Sequence, residues 1–396
     1  MCWIRSQHLS ILAPRRQNKF IACGKYYPWV RKMKKRIIRT AAALVAAVLL
    51  LPGRAQAISA QKAILMDGET GRVIYEKDAY SRSLIASTTK IMTALLVCEQ
   101  CNVLDRMRIP KEAVGIEGSS MYLKEGEVLT LQELLYGLML QSGNDAAVAL
   151  AIYCGGTVEG FVQLMNDKAY RMGLTGTNFE NPNGLDSPHH YSTARDLAVL
   201  AAYAMQNPIF AQTVATRSVR VGERSLQNHN KLLWRVDGAD GVKTGYTKAA
   251  GRILVSSAKR DGRRLICVTI NDGNDWADHQ LLLEDGFSRY ENKTIVQAGD
   301  VLGQRAVVGG ESETVQLVAA EDFVFALTAQ EQPQILLSGA EFAYAPVVQG
   351  GDAGFAYVLL DGNAIGKVPV VYAETVEQIK LQEKKPFWKR LLGGAQ

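Results

Sequence analysis

The sequence predicts an α/β (α+β) domain, an antiparallel sheet flanked by helices, followed by a small C-terminal all-β domain. Three observations predict it. Apolar runs at helical spacing dominate residues 91–174. From residue 216 the pattern turns to short runs rich in Val, Ile and Leu, and Asp261-Gly262 between 252–258 and 263–270 is a hairpin signal. Beyond Asn292, short β-like runs alternate with Gly, Pro and acidic turns up to about Tyr372.

In chain order, residues 63–67 and 73–75 read as an N-terminal hairpin joined by Gly68-Glu-Thr-Gly71. A helix opens near Ser87, carries the apolar run 91–97 and ends before Asn102. Residues 119–123 read as a short strand. Thr130-Leu-Gln-Glu133 is a capping-box pattern that opens an apolar helix over 131–140. That helix runs into Gln141-Ser142-Gly143-Asn144-Asp145, after which 146–153 is helical and nearly all apolar. Helices so apolar belong to a core, so the polar insertion between them lies deep in the domain. Residues 157–174 form an amphipathic helix with Phe161, Leu164, Met165 and Met172 as core fillers. A loop over 175–192 carries Asn181-Pro-Asn-Gly-Leu-Asp-Ser-Pro188, dense in turn formers, and 193–206 is helical again. Strands follow at 218–221 and 242–246, then the hairpin, then a closing helix at 276–290. In the β domain the runs are 315–318, 323–327, 341–347, 355–360 and 366–371.

The ends read differently. Met33-Lys-Lys-Arg-Ile-Ile-Arg39, the apolar run 41–51 and Ala55-Gln56-Ala57 together form a secretory signal peptide over 33–57. Residues 1–32 are read as an extension upstream of a true start at Met33. The expected organisation is therefore an α+β domain over 58–290, a β domain over 291–372 and a basic amphipathic tail over 373–396. The chain is expected outside the cytoplasmic membrane, at its outer face or in the wall or periplasmic space. Residues 1–57 hold twelve Lys or Arg and no Asp or Glu. The remainder keeps 33 basic against 39 acidic residues, and the formal net charge moves from +6 to −6. Nothing in that balance supports a nucleic-acid partner. In the tail, basic residues interleave with Phe387, Trp388, Leu391 and Leu392. That pattern suits either a peripheral membrane contact or a frayed end. Four cysteines remain after the leader, at 98, 101, 154 and 267, and are expected as buried or helix-end thiols. Histidines 189, 190, 229 and 279 have no metal-ligand spacing, so no metal is expected.

Chemistry first suggests itself at Ser87-Thr-Thr-Lys90. On a helix, residues three apart share a face, which would hold a hydroxyl beside an amine able to take its proton. The amine must be neutral to do so, through burial or a neighbouring cation. Ser59-Ala-Gln-Lys62 and Ser256-Ser-Ala-Lys259 match the same pattern. Ser59, however, sits two residues past the expected cleavage point, and Ser256 lies in a strand whose Lys259 projects to the opposite face. Ser87 alone leads an apolar helix. Ser142-Gly143-Asn144, the single Ser-x-Asn of the chain, interrupts two core helices where polar groups are costly unless paired. Lys243-Thr244-Gly245 is the single Lys-[Ser/Thr]-Gly and sits in a strand.

In this order, Ser-x-x-Lys, Ser-x-Asn and Lys-Thr-Gly resemble the signature of the penicillin-recognising serine acyl-transferases. The nearest resemblance is to the low-molecular-mass penicillin-binding proteins that act as D-alanyl-D-alanine carboxypeptidases. Ser192-Thr-Ala-Arg-Asp-Leu-Ala198 and Asn228-His-Asn-Lys-Leu-Leu-Trp234 also resemble that family. The resemblance implies a catalytic domain of the β-lactamase/transpeptidase type that removes the terminal D-alanine from peptidoglycan stem pentapeptides, limiting cross-linking. It implies acylation by β-lactam antibiotics, and no cofactor. Ser87 would be the nucleophile, Lys90 its base, Ser142 a proton relay, and Asn144 a holder of Lys90 and of the substrate amide. Lys243 would add positive potential and Thr244 would bind the substrate carboxylate. Across Gly245, the backbone N–H groups of Ser87 and Tyr246 would form the oxyanion hole. Where some members carry an arginine between the two asparagines, this chain has His229, which leaves the carboxylate clamp open to question. Two rivals share the motifs. A D,D-endopeptidase uses the same site, whereas a β-lactamase of the common type needs a Glu-x-x-Leu-Asn loop, and Glu180-Asn-Pro-Asn-Gly184 lacks the last pair. A catalytically silent wall scaffold would be free to lose the nucleophile, base and relay.

Overall fold

The computed structural model describes residues 58–380; the expected leader at 33–57, the extension before it and most of the tail, 381–396, lie outside the described residues. Strands β1 (Lys62–Asp67) and β2 (Val73–Lys77) form the N-terminal hairpin. Asp67 organises its turn by accepting from the N–H groups of Glu69 and Thr70 and from the Thr70 hydroxyl. A 3-10 turn, Ala86–Thr89, leads directly into α1 (Lys90–Gln100), which is buried from Lys90 to Val97 and so serves as the central helix.

Short strands β3 (Arg106–Arg108) and β4 (Val128–Thr130) pair with each other. Residues 119–123 between them, expected as a strand, are irregular. Their polar groups go to one carboxylate instead of a neighbouring strand: Met121 N at 3.1 Å, Leu123 N at 3.0 Å and the Ser120 hydroxyl at 2.6 Å all donate to Asp145. Helix α2 (Leu131–Leu140) starts with the expected capping box of Thr130 and Glu133. It is followed by α3 (Asn144–Gly155), α4 (Val158–Arg171) and α5 (Ala194–Ala204), the last two capped by Thr157 and Thr193. A further helix, α6 (Pro208–Ala215), had no reading in the sequence. Asn207 caps it by accepting from Ile209 N and Phe210 N, with proline at its first position.

Next come the hairpin β5 (Ser218–Val221) and β6 (Arg224–Gln227), then β7 (Ala239–Thr247), β8 (Gly251–Arg260), β9 (Arg263–Ile270) and α7 (Asp275–Arg289). The main sheet runs β2-β1-β9-β8-β7, antiparallel throughout. Alternation along these strands separates two cores. Ile64, Val255, Ile266 and Val268 face the helical cluster around α1, whereas Ala63, Leu65, Leu254, Leu265 and Cys267 pack under α7 against Leu282 and Leu283. Strand β7 is therefore an edge strand set against the helical half.

The cysteines depart from expectation. Cys101 is bonded to Cys154, joining the end of α1 to α3, while Cys98 and Cys267 are free. The two partners are 53 residues apart in sequence, and only the packing of α1 beside α3 brings them within reach.

The β domain contains β10 (Glu291–Val296), β11 (Val301–Val308), β12 (Thr314–Ala319), β13 (Phe323–Leu327), β14 (Gln334–Ser338), β15 (Phe342–Tyr344), β16 (Asp352–Leu360) and β17 (Asn363–Tyr372). Strands β10 and β13 pair, and a six-stranded sheet runs β14-β16-β17-β12-β11-β15. Arg72, from the N-terminal hairpin, donates to the Ala326 carbonyl and the Glu331 carboxylate and lies over the Tyr290 and Phe325 rings. It is a cross-link between the two halves of the fold.

Beside the same hairpin turn, Arg263 Nε donates to the fully buried Asp67 at 2.9 Å, and its Nη1 donates to the Gly286 carbonyl at 3.2 Å. Removing one partner of a buried ion pair leaves an uncompensated charge, at a cost of about 3–5 kcal/mol. Arg263→Leu is accordingly expected to lower the urea unfolding free energy by about that amount, and Asp67→Asn on top of it to restore part of the loss. A single-variant loss below about 1 kcal/mol would show the pair to be energetically idle.

Candidate active site

Ser87 occupies the 3-10 turn immediately before α1. The turn is held by its own threonines: Thr88 Oγ1 donates to the Ile85 carbonyl at 2.5 Å, and Thr89 Oγ1 to that of Ala86 at 2.9 Å. Ala86 has φ 45°, a left-handed conformation that a side chain tolerates only when its surroundings impose it. One such surrounding is the loop around Gly184. A Cβ there would lie 1.9 Å from the Ala86 oxygen, so the close approach needs glycine.

Lys90 lies one turn along, fully buried, and its Nζ has three neighbours. They are Ser87 Oγ at 2.9 Å, Asn144 Oδ1 at 2.7 Å and the Asn183 carbonyl at 2.6 Å. The orientation of Asn144 is fixed by its other end, where Nδ2 donates to the Glu117 carbonyl, a pure acceptor. Asn144 Oδ1 and Asn183 O can therefore only accept. A neutral amine has two N–H groups, which these acceptors use, leaving its lone pair directed at the Ser87 hydroxyl. The electrostatics agree. Burial holds the Lys90 ammonium well below its ordinary pKa, the nearby Lys243 cation lowers it further, and Asp145 opposes the shift.

Ser142, at the junction of α2 and α3, has φ 60° and lines the same cleft as Ser87. Lys243 is buried on β7, donates to the Thr244 carbonyl at 2.7 Å, and is pushed by burial to a pKa of about 7. Thr244, Gly245 and Tyr246 line the cleft, whose volume is about 460 Å³. A Cβ on Gly245 would sit 3.3 Å from both the Ile85 oxygen and the Ser87 nitrogen, so glycine lets β7 press against the nucleophile turn. His229 also lines the cleft. The asparagines beside it are anchored: Asn228 Nδ2 donates to Val214 O and Thr216 O, and Asn230 Nδ2 to Gly241 O. Partial burial, and secondarily the Lys243 charge, lower the His229 pKa and so favour its neutral ring.

All nine residues singled out in the sequence thus meet at one place, with Lys90, Asn144 and Lys243 buried behind the cleft and the other six lining it. Sequence reasoning missed their support. The Asn183 carbonyl reaches Lys90 as a backbone group, which residue identity does not encode. His190 is buried with Nδ1 accepting from Glu180 N at 3.0 Å. Its Nε2–H must therefore donate to Thr89 Oγ1 at 2.7 Å, in a neutral ring whose pKa burial lowers to about 4. Asp145 clamps the 119–123 wall. The packing signal of that wall was Gly137 in α2: a Cβ there would lie 2.0 Å from the Met121 sulfur. Ser119, Arg252, Ile253, Asp275 and Trp276 complete the cleft lining.

The chain matches the family described as D-alanyl-D-alanine carboxypeptidase over residues 52–274, and the C-terminal domain of penicillin-binding protein 5 over residues 290–378. It is 31% identical to the D-alanyl-D-alanine carboxypeptidase DacF of Bacillus subtilis over 350 residues, covering 84% of this chain and 89% of that one. With DacC of Escherichia coli the identity is 32% over 348 residues, covering 82% and 86%. Among solved structures, penicillin binding protein 5 from Haemophilus influenzae superposes with a TM-score of 0.73 at 29% identity, covering 83% of this chain and all of that one. Penicillin binding protein 6B from Escherichia coli gives 0.66 at 27% identity, covering 81% and 98%. A hydroxyl paired with a buried amine, in a fold matched along both of its regions, places the chain in the D-alanyl-D-alanine carboxypeptidase family of serine peptidases, to which it belongs.

Proposed function

We propose that the chain hydrolyses the terminal D-alanyl-D-alanine bond of peptidoglycan stem pentapeptides outside the cytoplasmic membrane, through an ester on Ser87, and that β-lactams trap the same ester. The observation that carries this is the environment of Lys90, whose two carbonyl acceptors leave one lone pair for Ser87.

In acylation, Ser87 Oγ bonds to the carbonyl carbon of the penultimate D-alanine as its proton passes to Lys90 Nζ. The carbonyl oxygen takes the negative charge and is received by the backbone N–H groups of Ser87 and Tyr246, each such donor being worth roughly 3 kcal/mol. The Ser142 hydroxyl delivers its proton to the departing amine and takes the proton held by Lys90 in its place, the C–N bond breaks, and D-alanine leaves with Lys90 neutral again. Thr244 Oγ1 holds its carboxylate, Lys243 adds positive potential from behind the cleft wall, and His229 stands beside them. Water then attacks the ester, returning Ser87 and releasing the shortened peptide. With a β-lactam the broken C–N bond leaves the amine tethered to the acyl group, so the adduct persists.

The β-lactamase alternative finds no support in the loop it would need. Glu180 turns its carboxylate to the Ser187 hydroxyl and His189 N of its own loop, and the contact with Lys90 comes from the Asn183 carbonyl.

Two outcomes test the proposal. Purified protein is expected to release D-alanine from a pentapeptide ending in D-Ala-D-Ala and to form a long-lived adduct with labelled penicillin. Ser87→Ala should lose the adduct and at least about a thousandfold in kcat. Rapid turnover of the penicillin would contradict the assignment. The second outcome concerns pH. Because Lys90 must be neutral, acylation falls as pH drops through its lowered pKa. Removing the Lys243 charge lets Lys90 keep its proton to higher pH. In Lys243→Gln the acid limb of the acylation rate is therefore expected to move to higher pH; a limb that stays put or moves down would sink the electrostatic coupling.

A further inference from the structure

The cleft does not end at the carboxylate and oxyanion positions. Past Tyr246 it continues to Arg252, Asp275 and Trp276. The direction of the substrate is set by the reading above, on which this inference rests. With the terminal carboxylate at Thr244 and the reacting carbonyl at Tyr246, the peptide upstream of the scissile bond runs toward the far end of β7, and Arg252 stands directly opposite Tyr246 in the β7–β8 ladder.

Arg252 and Asp275 are an unequal pair. The Asp275 side chain is 5% exposed, and both its oxygens are occupied: Oδ2 accepts from Arg252 Nε at 3.1 Å, and Oδ1 from Arg252 Nη2 and, at 2.9 Å, from Trp276 N. The Arg252 side chain is 44% exposed, and among the described residues its Nη1 has no partner. The buried aspartate thus fixes one edge of the guanidinium and leaves the other edge, with its positive charge, open to the cleft. The guanidinium carbon lies 6.0 Å from the centre of the Trp276 ring, which gives the subsite a flat wall for an aliphatic stem.

We propose that Arg252, positioned by Asp275 and Trp276, forms a subsite for a carboxylate at the end of the side chain of the residue that precedes the D-Ala-D-Ala pair. A diaminopimelate residue presents such a group; a lysine residue presents an ammonium, which meets the Arg252 guanidinium before it can reach the buried Asp275 carboxylate that this guanidinium covers. The subsite is thereby a specificity device for dicarboxylic over simple diamino stems.

The test compares two pentapeptides, N-acetyl-L-Ala-D-γ-Glu-X-D-Ala-D-Ala with X either meso-diaminopimelate or L-lysine. In the wild type, the kcat/KM ratio is expected to favour diaminopimelate by about tenfold, the yield of one charge-assisted hydrogen bond at a partly exposed site. Arg252→Gln/Asp275→Asn, which leaves no unpaired buried charge, should bring the ratio close to one. Arg252→Lys, which keeps the charge but not the fork, should retain part of it. Circular dichroism and thermal melts establish that each variant is folded. A wild-type ratio near one, or a ratio that survives the double substitution, overturns the subsite. Absence of D-alanine release from both peptides in the wild type overturns the carboxypeptidase reading, and the subsite with it.

Discussion

A lysine amine held in a fully buried position between two carbonyl groups is the constraint on which the rest of this structure depends. Burying an ammonium without a counter-charge is expensive, and the inexpensive resolution is for the group to lose its proton. Asn144 Oδ1 and Asn183 O stabilise the resulting amine by taking both its hydrogens, and Ser87 receives the lone pair. Lys243, buried close by, biases Lys90 in the same direction. In this arrangement, the chemistry follows from where the amine is kept.

Keeping it there demands contributions from distant parts of the chain. Helix α1 supplies Lys90, the start of α3 supplies Asn144, and the loop around Gly184 supplies the third neighbour. Strand β7 closes the site from the sheet. The approach at Gly184 is closer than a side chain would allow, that at Gly245 is tight, and the left-handed Ala86 and Ser142 sit at the same junctions. Such strain persists where packing over-determines the backbone, and the helical core that excludes water from Lys90 is also what imposes it. His190, neutral and fixed in one tautomer between Thr89 and Glu180 N, belongs to the same scaffold.

Much of this was legible in the sequence because it is written in side-chain type and period. The capping box at Thr130, the hairpin at Asp261-Gly262 and the apolar faces of α1 to α5 follow directly from patterning, and three short motifs named the residues that meet in the cleft. What was not legible has physical causes. The contact from Asn183 is made by a carbonyl that any residue possesses. The 119–123 segment carries strand-like residues, but its hydrogen bonds go to Asp145, a tertiary override of local propensity. Helix α6 is too short to show a period, the alternation of β10 and β11 is diluted by charge and glycine, and β14 is a short, largely exposed edge strand whose three consecutive apolar residues do not alternate. The bond between Cys101 and Cys154 depends on two helices lying side by side, which spacing alone does not reveal.

The mechanism turns on the protonation state of Lys90. With lysine side chains labelled at Nζ with nitrogen-15, and Lys90 assigned by its absence in Lys90→Arg, an NMR titration of the free protein reads that state directly. The buried, doubly accepted amine predicts a Lys90 resonance that changes from neutral amine to ammonium only at a pH well below the ordinary lysine range. A Lys90 resonance that remains an ammonium up to pH 10 would contradict it.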